Sequence, residues 1–320
     1  MHNSRIMPRL CFLCVAALTL LGTALRTVGY LFFFDTDPGY FVAGPFNTVC
    51  NVLYFVAVAV AVLLGLLIPK NTLPTELHTR MRAPVARLWG IALLAFAVAA
   101  LILCVPTRRN NVVLAPVILA IPAALYYVIT ATRDGRYPDR LSLTGYFPIL
   151  WSMGGVADIY FDQFTAMNSP VKLSLQISFM GAMLIGLGEL RFRIGRPLPR
   201  YSVIFWSIGS FTCLVGALPL LIATGAQKLD NVSHLLYAVV LMCAGLYGLY
   251  LLLRYTCFPS DVPAAPATEA EAVEDEAAAR EEIPTCDTAA EEAAAADEAR
   301  ETATPDESPE DPELPPTNAE

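Results

Sequence analysis

The sequence predicts an all-α integral membrane protein, a bundle of about eight transmembrane helices followed by a disordered acidic C-terminal tail. Apolar residues make up 56% of the 320 residues, and the mean hydropathy is +0.53. Charge divides the chain at residue 258: residues 1–258 hold 19 Lys and Arg against 9 Asp and Glu, whereas residues 259–320 hold 2 against 20. We therefore expect a transmembrane domain over 1–258 and an acidic tail over 259–320.

Eight apolar stretches have the length that a membrane span requires, about 20 residues for a hydrocarbon core of about 30 Å. They are continuous rather than alternating, which favours helices over a β-barrel. The predicted spans lie near residues 10–33, 47–68, 84–105, 111–130, 142–163, 171–190, 202–223 and 233–254. The first stretch follows Arg5 and Arg9 and contains Gly22-Thr23-Ala24, so a cleaved signal peptide is the alternative to a retained helix.

The loops predict the orientation of the bundle. With the N-terminus inside, 14 Lys and Arg flank the cytoplasmic side and 4 flank the opposite side. Positively charged loops remain in the cytoplasm, so we expect both termini to be cytoplasmic and the protein to lie in the plasma membrane.

The eight helices also suggest two parallel copies of four. Pro45 and Pro170 each open the second helix of a half, and a side-chain amide follows six residues later, at Asn51 and Gln176. Such copies are related by an axis along the membrane normal. Coincidence among apolar segments explains the same pattern, and both alternatives stay open.

Arg26 is the most unusual residue within a predicted span. A charge at that depth is costly unless it is paired or reaches water. Asp158 is the one acidic residue plainly inside another span, so we expect Arg26 and Asp158 to face each other. A structural ion pair is one interpretation. The second is a solute-binding or proton-coupled site lined by Arg26, Asp158, Asn51 and Gln176, and the third is an unpaired Arg26 whose side chain snorkels to the interface.

A cluster of arginines follows the sixth span and is a candidate contact for anionic lipid head groups, although it also resembles an ordinary cytoplasmic loop. The cluster consists of Arg191, Arg193, Arg196 and Arg200. The tail is rich in Ala, Glu and Pro and is predicted to be disordered. Its expected partners are basic surfaces, either another protein or the chain's own cytoplasmic loops; a solvated tail without a partner is the alternative.

The sequence offers no catalytic, metal or cofactor motif. Its three histidines, His2, His78 and His234, are scattered, and no phosphate-binding glycine loop or nucleic-acid motif is present. We therefore expect a non-enzymatic membrane component with lipid or protein partners. The rival hypothesis is a small-solute or ion transporter with an Arg26/Asp158 polar site, and an intramembrane enzyme is the least favoured.

Overall fold

The computed structural model describes residues 6–35, 39–42, 44–69, 73–74, 79–103, 114–131, 143–162, 165–166, 168–194, 196–229 and 231–258. Within these residues the chain forms eight α-helices, a single turn of 3-10 helix and one two-stranded hairpin. The predicted tail, residues 259–320, lies outside the described residues. The helices are α1 (Ile6–Phe32), α2 (Pro45–Leu67), α3 (Thr79–Leu103), α4 (Leu114–Thr130), α5 (Phe147–Phe161), α6 (Pro170–Arg193), α7 (Pro199–Gly225) and α8 (Val232–Cys257).

Six helices, α1, α2, α3, α6, α7 and α8, are long and apolar enough to cross a membrane. The prediction of a helical bundle with several membrane-length apolar helices is confirmed. The predicted count of eight spans is not confirmed. The two remaining helices are shorter than predicted: α4 has 17 residues, and α5 has 15 and begins only after the 3-10 turn Leu143–Tyr146.

Helix α7 lies at the centre of the bundle. In the most apolar 18-residue segment of α7, 83% of the residues are buried, compared with 22% in the corresponding segment of α2. It packs on α1, α2, α6 and α8, while α3 packs on α4 and α8, and α5 packs on α4 and α6. Because α1 contacts both α7 and α8, the first helix is an integral part of this bundle.

Close approach of α6 and α7 depends on small residues. Gly209 of α7 lies against Gly181 of α6, and a Cβ atom at Gly209 would come within 2.6 Å of the Gly181 carbonyl oxygen. Contacts of this kind allow helices to pack where lipid removes the hydrophobic driving force between them.

A short antiparallel hairpin joins α1 to α2. Its strands, β1 (Phe34–Asp35) and β2 (Tyr40–Phe41), pair Phe34 with Phe41 and Asp35 with Tyr40. The Phe41 ring packs against Tyr30 of α1, with ring centroids 5.0 Å apart. The hairpin thereby covers the C-terminal end of α1.

The predicted 4+4 repeat is not confirmed. Pro45 and Pro170 are indeed the first residues of α2 and α6. However, α2 packs on α1 and α7, whereas its proposed counterpart α6 packs on α5, α7 and α8. A parallel repeat requires equivalent helices to have equivalent neighbours, and these two do not.

Candidate functional site

Arg26 lies in α1, six residues before its end, and is half-buried. Its Nη2 donates a hydrogen bond to the Ser174 hydroxyl oxygen of α6 at 3.2 Å. The guanidinium carbon lies 4.7 Å from the centre of the Phe41 ring and 5.6 Å from that of Tyr30. A guanidinium has five N–H donors. The hydroxyls of Ser174 and Tyr30 cannot accept from all of them, so Arg26 retains capacity to bind a ligand.

A cavity of about 330 Å³, which we call the main cavity, lies beside Arg26 between α1, α2, α6 and α7. Each of the four helices contributes to its wall, and most of the lining side chains are apolar. The lining residues are Gly22, Leu25, Arg26, Cys50, Asn51, Leu53, Tyr54, Phe55, Leu173, Ser174, Ile177, Phe211, Thr212, Val215 and Gly216. Arg26 is the only charged residue among them.

A second cavity of about 390 Å³, the hairpin cavity, lies between the end of α1, the hairpin and the first turn of α2. Its wall consists of Arg26, Gly29, Phe33, Phe41, Val42, Gly44, Pro45, Phe46, Asn47 and Cys50. Arg26 and Cys50 line both cavities. Arg26 therefore stands where the two cavities adjoin, with a largely apolar space on one side and the first turn of α2 on the other.

The main cavity reaches the outer surface of the bundle. Two of its lining residues, Phe55 of α2 and Leu173 of α6, are 72% and 52% exposed. The main cavity is therefore partly open to the surroundings of the bundle.

Asp158 belongs to a different cluster, formed where α5, α6 and α8 meet. Its side chain is 2% exposed and accepts a hydrogen bond from the Tyr237 hydroxyl at 2.6 Å. Lys172, 1% exposed, donates to the backbone carbonyl of Asp162 at 2.8 Å. The Nε2 atom of His234 lies 3.4 Å from an oxygen of the Asp162 carboxylate. We call these residues the α5–α6–α8 cluster.

These contacts replace the predicted pairing of Arg26 with Asp158. Arg26 contacts α6 through Ser174 and the hairpin through Phe41, whereas Asp158 contacts α8 through Tyr237. Asn51 lines the main cavity together with Arg26. Gln176 is half-buried on α6 and lines neither of the two cavities. Of the four predicted polar candidates, the structure thus brings Arg26 and Asn51 together.

The predicted arginine cluster is divided by burial. Arg193 is 3% exposed, so the bundle encloses most of its side chain. Arg196 is exposed, and Arg191 and Arg200 are half-buried. The lipid contact predicted for the four arginines remains a prediction.

A second buried carboxylate, Glu189, lies one turn before Arg193. It is 1% exposed and accepts hydrogen bonds from the Tyr247 hydroxyl at 2.6 Å and the Tyr126 hydroxyl at 3.4 Å. Both donors come from other helices, α8 and α4, so Glu189 connects three elements of the bundle. Its burial and its tyrosine donors resemble those of Asp158, which indicates a structural role for both carboxylates.

Sequence reasoning missed Ser174, Tyr237 and the burial of Lys172. Lys172 is near the start of an apolar stretch, where a lysine ordinarily flanks the membrane. Ser174 fits a pattern of small residues typical of helix packing. The available signal was the presence of tyrosines within apolar stretches, because a buried tyrosine hydroxyl usually requires a hydrogen-bond partner.

No protein-family model, curated protein or solved structure matches this chain. Its function must be inferred from the geometry of these cavities and clusters.

Proposed function

We propose that this chain is a polytopic membrane protein, without an enzymatic site of its own, that binds a membrane amphiphile in the main cavity. The observation that carries the proposal is a space of about 330 Å³, walled mostly by apolar side chains, with the charged Arg26 at one side. An amphiphile has the matching division into an apolar chain and a polar head. The proposal includes eight membrane crossings, both termini in the cytoplasm of a plasma-membrane protein, and an acidic tail that engages basic surfaces.

The surroundings of the main cavity support a lipid rather than a water-soluble occupant. The cavity reaches the bundle surface beside Phe55 and Leu173, and the adjacent phase in a membrane is hydrocarbon. Transfer of a lipid chain from there into an apolar space exposes no polar group to hydrocarbon. A fully hydrated solute would have to lose water against the same apolar wall.

Transport of a small solute is the second candidate, and one observation favours it: Arg26 and Asn51 line the same cavity. A transport site is expected to gather its polar groups around one binding space. Asp158 lies instead in the α5–α6–α8 cluster with Tyr237, so the gathering is incomplete. The amphiphile is therefore the preferred occupant.

The proposal is tested by filling the cavity. Leu53 lines the main cavity and is half-buried, whereas its neighbour Val52 is 56% exposed and lines neither of the two cavities. We expect the Leu53→Trp variant to retain several-fold less lipid per protein than the Val52→Trp variant, measured by native mass spectrometry after purification in mild detergent. Equal lipid retention by both variants and the unchanged protein would overturn the proposed function.

A further inference from the structure

We infer that the amphiphile carries an anionic head group, a phosphate or carboxylate, which Arg26 binds where the main cavity and the hairpin cavity adjoin. This inference rests on the proposed function and specifies its ligand. The chain of the lipid lies in the main cavity, and the head group lies on the side of the hairpin cavity.

Charge balance at Arg26 is the first argument. In the part of the chain that the structure describes, the guanidinium contacts a hydroxyl, Ser174, and the rings of Phe41 and Tyr30, but forms no ion pair with a carboxylate. A hydroxyl and two aromatic faces stabilise a cation only partly. An anion at this position completes the neutralisation. A zwitterionic head group also carries a positive charge, so it neutralises the charge of Arg26 less fully.

The geometry of the guanidinium is the second argument. Arginine binds phosphate and carboxylate oxygens through parallel N–H donors, and such charge-assisted hydrogen bonds are roughly twice as strong as neutral ones. Ser174 accepts from Nη2, and the aromatic rings of Phe41 and Tyr30 hold the plane of the group. Arg26 is thereby positioned while donors remain for a ligand.

The hairpin cavity provides the third argument. Besides Arg26, its wall includes Gly44, Pro45, Phe46 and Asn47, the start of α2. Within the described residues, the N-cap residue Gly44 forms no side-chain cap at this helix N-terminus, so the N–H groups of the first turn after Pro45 and the side-chain amide of Asn47 can serve as further donors. The positive end of the α2 dipole adds to the attraction that the guanidinium exerts on an anion.

The chemistry of the head group is tested with two amphiphiles that share a chain. The full-length protein is purified in dodecyl maltoside and titrated with dodecyl phosphate or dodecylphosphocholine, and binding is measured by the rise in apparent melting temperature. We expect dodecyl phosphate to bind about tenfold more tightly, a ratio typical of one charge-assisted contact. Inorganic phosphate alone should produce no shift, because it has no chain for the main cavity.

Variants assign the preference to Arg26. The Arg26→Gln variant should bind both amphiphiles equally. Arg26→Lys, which keeps the charge, should recover part of the preference for dodecyl phosphate. If Arg26→Gln does not fold, the reduced preference of Arg26→Lys provides the test. Equal binding of the two amphiphiles by the unchanged protein, with several-fold weaker binding of both by Leu53→Trp, would overturn the anionic head group and leave the proposed function standing. Binding of neither amphiphile, or a shift with inorganic phosphate equal to that with dodecyl phosphate, would overturn both.

Discussion

Removal of the Tyr237 hydroxyl tests whether the α5–α6–α8 cluster holds the bundle together. Tyr237→Phe deletes the donor of the 2.6 Å hydrogen bond to Asp158 but keeps the ring, which packs against Phe96 and Phe179 with centroids 5.3 and 5.1 Å away. The substitution therefore removes the hydrogen bond to a carboxylate that is 2% exposed and keeps these ring contacts.

The magnitude follows from the partner of the bond. Hydrogen bonds to charged groups contribute about 1.5–3 kcal/mol, whereas hydrogen bonds within membrane bundles average about 0.6 kcal/mol and reach about 1.7 kcal/mol. Burial of Asp158 and the short distance place this bond at the upper end of the membrane range. We expect Tyr237→Phe to lower the free energy of unfolding by about 1.5 kcal/mol.

Denaturant titration of the detergent-solubilised protein measures this loss through tryptophan fluorescence, because Trp89, Trp151 and Trp206 are all buried. Tyr250→Phe in the same helix is the matched control, since the described residues give its hydroxyl no hydrogen-bond partner. The combined Asp158→Asn and Tyr237→Phe variants, compared with each single change, isolate the coupling of the pair. A loss in Tyr237→Phe no greater than that in Tyr250→Phe refutes the reasoning.

Three further predictions concern the ends, contacts and crossings of the helices. Asn231→Ala removes the acceptor that caps α8, whose side chain receives the Ser233 backbone N–H at 3.1 Å; the free energy of unfolding should fall by about 1 kcal/mol, and Asn231→Asp should preserve it in the same titration. Gly209→Val forces α7 away from Gly181 of α6, and overpacking of this kind costs about 1–3 kcal/mol; an unchanged unfolding midpoint would contradict the close approach. A topology reporter inserted within residues 132–142 should be cytoplasmic if α4 and α5 both cross the membrane, and external if neither does.

Much of the helical architecture was predictable from the sequence, because continuous apolar runs of membrane length have few alternatives to helix. The predicted start of the sixth span at residue 171 differs by one residue from the start of α6 at Pro170. The late start of α5 was not foreseen, since the apolar stretch includes the 3-10 turn Leu143–Tyr146 that precedes this helix. Neighbour relations were also beyond prediction: amide spacing made α2 and α6 look equivalent, yet they have different neighbours.

The candidate site was predicted only in part, for a related reason. Arg26 was identifiable because a charge within a span is costly wherever its partners lie. Its predicted partner, Asp158, was chosen because it is the one acidic residue plainly inside another span, and the sequence does not specify which helices are neighbours. Ser174, which accepts from Arg26, and Tyr237, which donates to Asp158, carry neutral hydroxyls, and a search for opposite charges overlooks such contacts.

Burial distinguishes Arg26 from the carboxylates inside the same bundle. Asp158 and Glu189 are 2% and 1% exposed, and tyrosine hydroxyls from neighbouring helices donate to both. Such enclosed groups have their desolvation offset within the protein and have no room for a ligand. Arg26 is half-buried and lines two cavities. This difference in burial supports the proposed ligand binding at Arg26 and a structural role for the two carboxylates.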